Sequence, residues 1–224
     1  MNEYIGIVCL IPAIILAIYA QRKVSTSFRR FSAVRVSSGL TGEQAARKLL
    51  DTNGLQNVHV ELVDGNLSDH YDPRKQVVRL SNDVYHSSTI AAVSVACHEC
   101  GHAIQHQTEY GPLKIRNMMA PVVSFASNLA MFFLVIGLSA QLLQLFDLGI
   151  VLFILAVLFQ VITLPVEYDA SNRAIMQMVR LNVIREDERS GAEKMLGAAA
   201  LTYVAATLMA IAQLVRLIAL RGRR

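Results

Sequence analysis

The chain has 224 residues, 54% of them hydrophobic, with a mean hydropathy of +0.41 and a formal charge of +4. That is too apolar for an ordinary soluble domain and implies several membrane spans. The modest positive charge fits membrane topology better than nucleic-acid binding, and no arginine–aromatic stripe of the kind that binds single strands is present.

Residues Tyr4 to Ala20 form an almost uninterrupted apolar run. It is just long enough to cross a hydrocarbon layer that needs about 17–25 helical residues. A cleaved signal peptide is the rival reading, but no basic stretch precedes the run. Its positive charges follow it, at Arg22, Lys23, Arg29 and Arg30. The expectation is a retained N-terminal anchor, residues 1–20, with its basic flank on the cytoplasmic side.

Residues 21–118 read as a small soluble α+β layer. Thr41 offers a cap to a helix through Ala45, Ala46, Leu49 and Leu50, with Glu43 in its first turn and Asn53-Gly54 at its end. Val58, Val60 and Leu62 alternate with His59 and Glu61, the period of a strand. Asp64-Gly65-Asn66 is a turn signal, and Gln76 to Leu80 reads as a second strand. Between them, Asp69-His70-Tyr71-Asp72-Pro73 has residue types found in metal sites but reads first as a polar turn. His59 and His86 read as ordinary surface positions.

The chemistry is concentrated in Cys97-His98-Glu99-Cys100-Gly101-His102. Ser87 to Gln107 contains no proline, and Ser87-Ser88-Thr89 supplies capping hydroxyls, so this stretch is expected to be helical. His98 and His102 then stand one turn apart on one face and can share one zinc ion. Glu99 lies too far round to be a ligand but can reach a water on that metal, which makes it the candidate general base of a zinc hydrolase. His106 continues the same face but sits about 12 Å along the axis from His98, beyond reach of one ion. Two histidines and a glutamate on a helix are also an ordinary surface pattern.

The cysteines are Cys9, Cys97 and Cys100. An odd count without framework spacing gives no sign of disulfides and agrees with a reducing compartment. A mixed Cys/His metal site is an alternative. However, Cys97 and Cys100 do not both share the face of His98 and His102.

Pro121 to Leu143 and Gly149 to Val166 are two further apolar runs joined around Gln144 to Leu148, an expected membrane hairpin over residues 119–166. The hairpin returns the chain to the side of the histidines at Glu167. This residue reads either as an interfacial carboxylate or as a third zinc ligand that completes a His₂Glu set with an open position. Residues 167–195 are expected to be a helix followed by a charged loop at Arg185 to Arg189. Residues 196–224 are expected to be a fourth apolar helix with a basic tail.

His98-Glu99-Cys100-Gly101-His102 together with Glu167-Tyr168-Asp169-Ala170-Ser171 resembles the YugP-type neutral zinc metallopeptidases of bacterial membranes. The likeness covers most of the chain. A more distant similarity is to the HtpX-type membrane proteases, which share the His₂Glu pattern but carry Asp four residues after the ligand Glu. Here Ser171 stands in that place, so a carboxylate that would orient a ligand histidine is missing there, and Asp169 is the nearest substitute.

The resemblance implies an α-helical integral membrane protein with about four transmembrane helices and a small zincin-like (gluzincin) α+β layer. It implies one zinc ion per chain held by His98, His102 and Glu167, with Glu99 as catalytic base. The expected partners are a peptide or membrane-protein substrate and the lipid bilayer, with no nucleic acid. A non-catalytic membrane adaptor with a structural zinc is the rival from another class; a structural site needs no base beside it. Of the 21 Lys and Arg residues, 12 fall in residues 21–117 and 5 in residues 167–197, which places the metal side in the cytoplasm. The other four are Arg216, Arg221, Arg223 and Arg224.

Overall fold

The structure, a computed structural model, describes residues 2–65 and 68–222, with residues 2–7 described by backbone alone. Asn66 of the expected turn and the tail arginines Arg223 and Arg224 lie outside the described residues. Among the described residues the order is α1 (Asn2–Ser32), α2 (Gly42–Thr52), β1 (His59–Val63), β2 (His70–Asp72), β3 (Val77–Ser81) and α3 (Asn82–Tyr85). Then follow α4 (Ile90–Gln107), α5 (Gly111–Ser139), α6 (Leu143–Arg180) and α7 (Glu186–Arg221).

Four of the described helices are long and apolar enough to cross a membrane: Val8–Ser32, Gly111–Ser139, Leu143–Arg180 and Glu186–Arg221. With the small sheet, they make the chain a helical membrane protein with an α+β part, as its composition implies. The chain divides into two compact units. One comprises residues 1–21, 111–165 and 201–224, and the other residues 22–110 and 166–200.

In the first unit Leu134, Phe146, Ile150 and Leu217 form a buried cluster. Gly137 and Gly149 let helices meet closely. A Cβ on Gly137 would lie 2.5 Å from the Phe146 nitrogen, and one on Gly149 would lie 2.7 Å from the Leu134 side chain. Small residues at such contacts are the usual means of helix association where lipid removes the hydrophobic drive. Phe125, Met131, Phe132 and Val151 are all more than half exposed. A bilayer would cover such apolar surface.

The second unit is built around α4. Thr41 caps α2 in a full capping box with Gln44, and Gly54, at φ +75°, follows the Asn53 C-cap. β3 is the central, buried strand, parallel to β1 and antiparallel to β2, in the order β1-β3-β2. The α4 N-cap is Thr89, whose side chain accepts from the Ala92 N–H. Residues 34–36 pair with its entry, Val36 N–H donating to Ser88 O and Ile90 N–H to Val34 O. Leu49, Leu80, Val93, Met178 and Ile184 fill the core between the sheet, α2, α4 and residues 166–200.

Several expectations are corrected. The Asp69–Pro73 stretch is not only a polar turn, because His70–Asp72 form the edge strand β2; three polar residues show no readable alternation. The turn before α6 falls at residues 140–142 rather than Gln144–Leu148, since apolar residues carry the helix back to Leu143. Helix α6 is continuous from Leu143 to Arg180, with Pro165 inside it. A single missing N–H is tolerable in an apolar helix of this kind. Of the charged loop expected at Arg185–Arg189, all but Arg185 belong to the start of α7. Glu186, Asp187 and Glu188 lie in its first turn, where acidic groups complement the helix dipole.

Gly101 is where α4 and α6 meet most closely in the second unit: a Cβ there would lie 2.5 Å from Ala170 O. Gly101→Ala should destabilise the protein by about 1–3 kcal/mol through overpacking, despite the helix propensity that Ala gains. Gly197, where a Cβ meets nothing within 4 Å, is the control, and Gly197→Ala should be neutral or slightly stabilising. Thermal unfolding of the two variants in detergent checks this; equal midpoints would contradict it.

Candidate metal centre

His98 and His102 lie on the α4 face that packs against residues 166–180 of α6. Their rings stand edge to face with centroids 4.8 Å apart. Opposite them is Glu167, whose Oε2 lies 3.3 Å from His98 Nε2 and 3.6 Å from His102 Nε2. One ligand atom from each of the three residues lies within 4.8 Å of the others. Zinc–ligand bonds of about 2.0–2.2 Å at tetrahedral angles put ligand atoms about 3.3–3.6 Å apart. The donor set therefore has the chemistry of a zinc site, and the two distances to Glu167 Oε2 fit one ion.

Glu167 is 2% exposed and His102 is 9% exposed. Burial pulls the His102 imidazolium toward losing its proton. The Glu167 carboxylate and the charge of Glu99 outweigh that and raise its titration above the ordinary imidazole range. A buried carboxylate flanked by two ε-nitrogens is a place where a positive charge is favoured, whether it comes as a proton or as a metal ion.

The δ-nitrogens are held from behind. His102 Nδ1 lies 2.9 Å from Gln105 Oε1. Gln105 is fully buried, and its Nε2 donates to Val166 O at 2.7 Å and to Asp169 Oδ2 at 2.9 Å. Both of those partners only accept, so the amide orientation is fixed by its hydrogen bonds and Oε1 must face His102. His102 Nδ1 is then the donor, and the Nε2 lone pair faces Glu167. Asp169 is anchored in turn by Arg173. His98 Nδ1 lies 3.1 Å from Ser171 Oγ. Ser171 thus stands where the resemblance expects a carboxylate and offers a hydroxyl to the same purpose. Asp169 serves His102 through Gln105, not His98.

Glu99 faces the sheet. Its Oε2 accepts from the Tyr71 N–H at 3.0 Å, so the overlooked strand β2 aims this carboxylate. The Tyr71 hydroxyl lies 3.0 Å from His106 Nδ1. Burial, and then Asp72, push the Tyr71 phenol up to about 12. His106 is therefore a partner of Tyr71 and lies apart from the His98–His102–Glu167 cluster.

The remaining candidates lie elsewhere. Asp69 accepts from Ser81 N–H and Oγ–H. His59, His70 and His86 are exposed. Cys97 and Cys100 are buried in the core, and Cys100 Sγ points to Ala46 O. Burial pushes the Cys97 thiol up to about 12, so it stays protonated. A mixed Cys/His site is thereby disfavoured. Gln105 is the site residue that the sequence reading missed. Its spacing of three from His102 on one helix was the available signal.

A helical membrane chain with His-Glu-x-x-His on one helix, and a distant glutamate returned to the same point, has the constellation of a membrane metallopeptidase. The comparison with family models agrees. Residues 6–222 match the family described as "Putative neutral zinc metallopeptidase", and the chain belongs to that family. The chain is also 51% identical over 215 residues to the "Putative membrane protease YugP" of Bacillus subtilis (strain 168), covering 95% of this chain and 96% of that relative. No solved structure matches.

If Gln105 fixes the His102 tautomer, Gln105→Ala should lower zinc affinity about 10–100-fold, the usual effect of losing such a partner. Gln107→Ala, which removes a bond to Asn53 O on the surface, should leave affinity unchanged. Competition against a fluorescent zinc chelator measures both; equal affinities would contradict the role.

Proposed function

We propose that this chain is a membrane-embedded zinc endopeptidase that uses one zinc ion per chain, held by His98, His102 and Glu167, with Glu99 as general base. The observation that carries the reading is Glu167 Oε2, 3.3 Å and 3.6 Å from the two ε-nitrogens. Three protein ligands leave one tetrahedral position open, as in catalytic rather than structural zinc sites. Zinc would supply Lewis acidity toward a water molecule and toward the scissile carbonyl.

The chain's own residues supply the rest. Glu99 takes a proton from the attacking water as its oxygen bonds to the carbonyl carbon. It then gives that proton to the amine as the C–N bond breaks. Its Oε2 is engaged by the Tyr71 N–H, which orients the carboxylate and leaves Oε1 for the proton. β2 lies at the outer edge of the sheet beside α4, so an extended substrate would add to the sheet there by main-chain hydrogen bonds. The substrate is a peptide or an unfolded segment of a membrane protein, and nucleic acid plays no part.

Glu99→Gln keeps an acceptor for Tyr71 but cannot take a proton. It should retain zinc and lose at least about 10²–10⁴-fold in peptide hydrolysis. Glu167→Ala should lose zinc while still inserting into membranes, with Glu61→Ala as the control carboxylate. Zinc stoichiometry and casein cleavage on detergent-purified protein test both. Full activity in Glu99→Gln, or full zinc in Glu167→Ala, would sink the mechanism. Loss of zinc and folding together in Glu99→Gln would point to a structural-zinc adaptor instead.

The bias of Lys and Arg puts the metal side in the cytoplasm. A cysteine introduced at Arg74, in a variant lacking Cys9, should react with a membrane-impermeant maleimide only after lysis. Labelling in intact cells would overturn that assignment.

A further inference from the structure

A cavity of about 390 Å³ lies between the 22–32 segment of α1 and the 193–198 segment of α7, within the second unit. Lys23, Thr26, Ser27 and Arg30 reach it from α1, and Lys194 and Gly197 from α7. The α1 residues are spaced i, i+3, i+4 and i+7, so one helix face presents two cations and two hydroxyls together. Lys194 adds a third cation from the other wall.

The negative charge at the rim does not offset Arg30 or Lys194. Glu193 lines the cavity, but it accepts from Arg189 Nε at 2.8 Å and is engaged outside. Among the described residues, Arg30 and Lys194 take part in no ion pair. Arg30 instead lies over the Phe31 ring, 5.5 Å from its centroid, an apolar support that leaves its donors directed elsewhere. The floor is open, since a Cβ on Gly197 would meet nothing within 4 Å.

We propose that this cavity binds the phosphate of an anionic glycerophospholipid headgroup. Three cations and two hydroxyl donors around one hollow suit an anion with several oxygens. Position selects the lipid over free phosphate. Lys23 follows the apolar run that ends at Ala20 by three residues, about 4.5 Å along a helix, which is headgroup depth for a spanning segment. Cations at that depth attract anionic lipid by about 1 kcal/mol each, or about fivefold per residue.

The test uses the full chain, delipidated in neutral detergent, and native mass spectrometry with phosphatidylglycerol, phosphatidylcholine and inorganic phosphate as probes. The expected result is preferential retention of phosphatidylglycerol over phosphatidylcholine. The triple variant Lys23→Ala/Arg30→Ala/Lys194→Ala should lose it roughly 100-fold. A control triple, Lys48→Ala/Arg74→Ala/Lys75→Ala, removes equal charge away from the cavity and should keep it. Gly197→Leu fills the cavity without removing charge and should also weaken binding, which covers the case in which the triple variant misfolds. Equal retention of both lipids, or loss in both triples alike, would overturn the site. Inorganic phosphate competing as well, mole for mole, as the lipid would overturn the lipid assignment.

Discussion

The second unit depends on one close approach of backbones. α4 meets residues 166–180 of α6 with no side chain between Gly101 and the Ala170 carbonyl. On either side of that contact stand the groups that matter. His98 and His102 flank Gly101 on α4, and Glu167 and Ser171 flank Ala170 on α6. A side chain at Gly101 would press on the Ala170 backbone and push the helices apart, and a carboxylate 3.3 Å from one imidazole and 3.6 Å from another would no longer reach both. The glycine between the histidines costs helix propensity of roughly 1 kcal/mol. The second unit accepts that cost for the spacing it allows.

Much of this was legible because the strongest signals in the sequence are local. Helix α4 and its Thr89 cap follow from a proline-free stretch behind three hydroxyl residues. Helix α2 follows from Thr41, the buried face of Ala45, Ala46, Leu49 and Leu50, and the Asn53-Gly54 ending. The four long helices follow from apolar runs whose length alone decides them. Glu167 stood out because an acidic residue just beyond an apolar run asks for a partner, and the hairpin gave it a way back. Helix ends were less legible. The charged residues at 185–189 looked solvated, yet acidic groups at a helix start are favoured by its dipole.

What the sequence hid is what depends on contacts between distant segments. β2 is three residues long, too short for any period to show, and its place comes from pairing with β3. Without β2 there was no means to see that the Tyr71 N–H orients Glu99, or that His106 is spoken for by the Tyr71 hydroxyl. Gln105 was hidden differently. Its spacing from His102 was visible, but its importance comes from Val166 O and Asp169, more than sixty positions away, which fix which end of the amide faces the histidine.

Those hidden residues bear on how basic the two imidazoles are. Where a carboxylate accepts from the δ-nitrogen of a ligand histidine, it makes the opposite nitrogen a stronger donor to the metal. Here both δ-nitrogens meet neutral groups, a hydroxyl at Ser171 and an amide at Gln105. The carboxylate behind that amide, Asp169, does not touch His102 and is itself compensated by Arg173. Negative charge is therefore concentrated on Glu167, directly at the ε-nitrogens, rather than spread behind the ring of each histidine. In the proposed enzyme, weaker donation from the imidazoles would leave a bound cation more electron-poor, and so more able to polarise a carbonyl or a water. The replacement of aspartate by Ser171 is then not a gap in the site. It shifts the work of charge compensation onto one buried carboxylate, whose position is set by the backbone contact at Gly101.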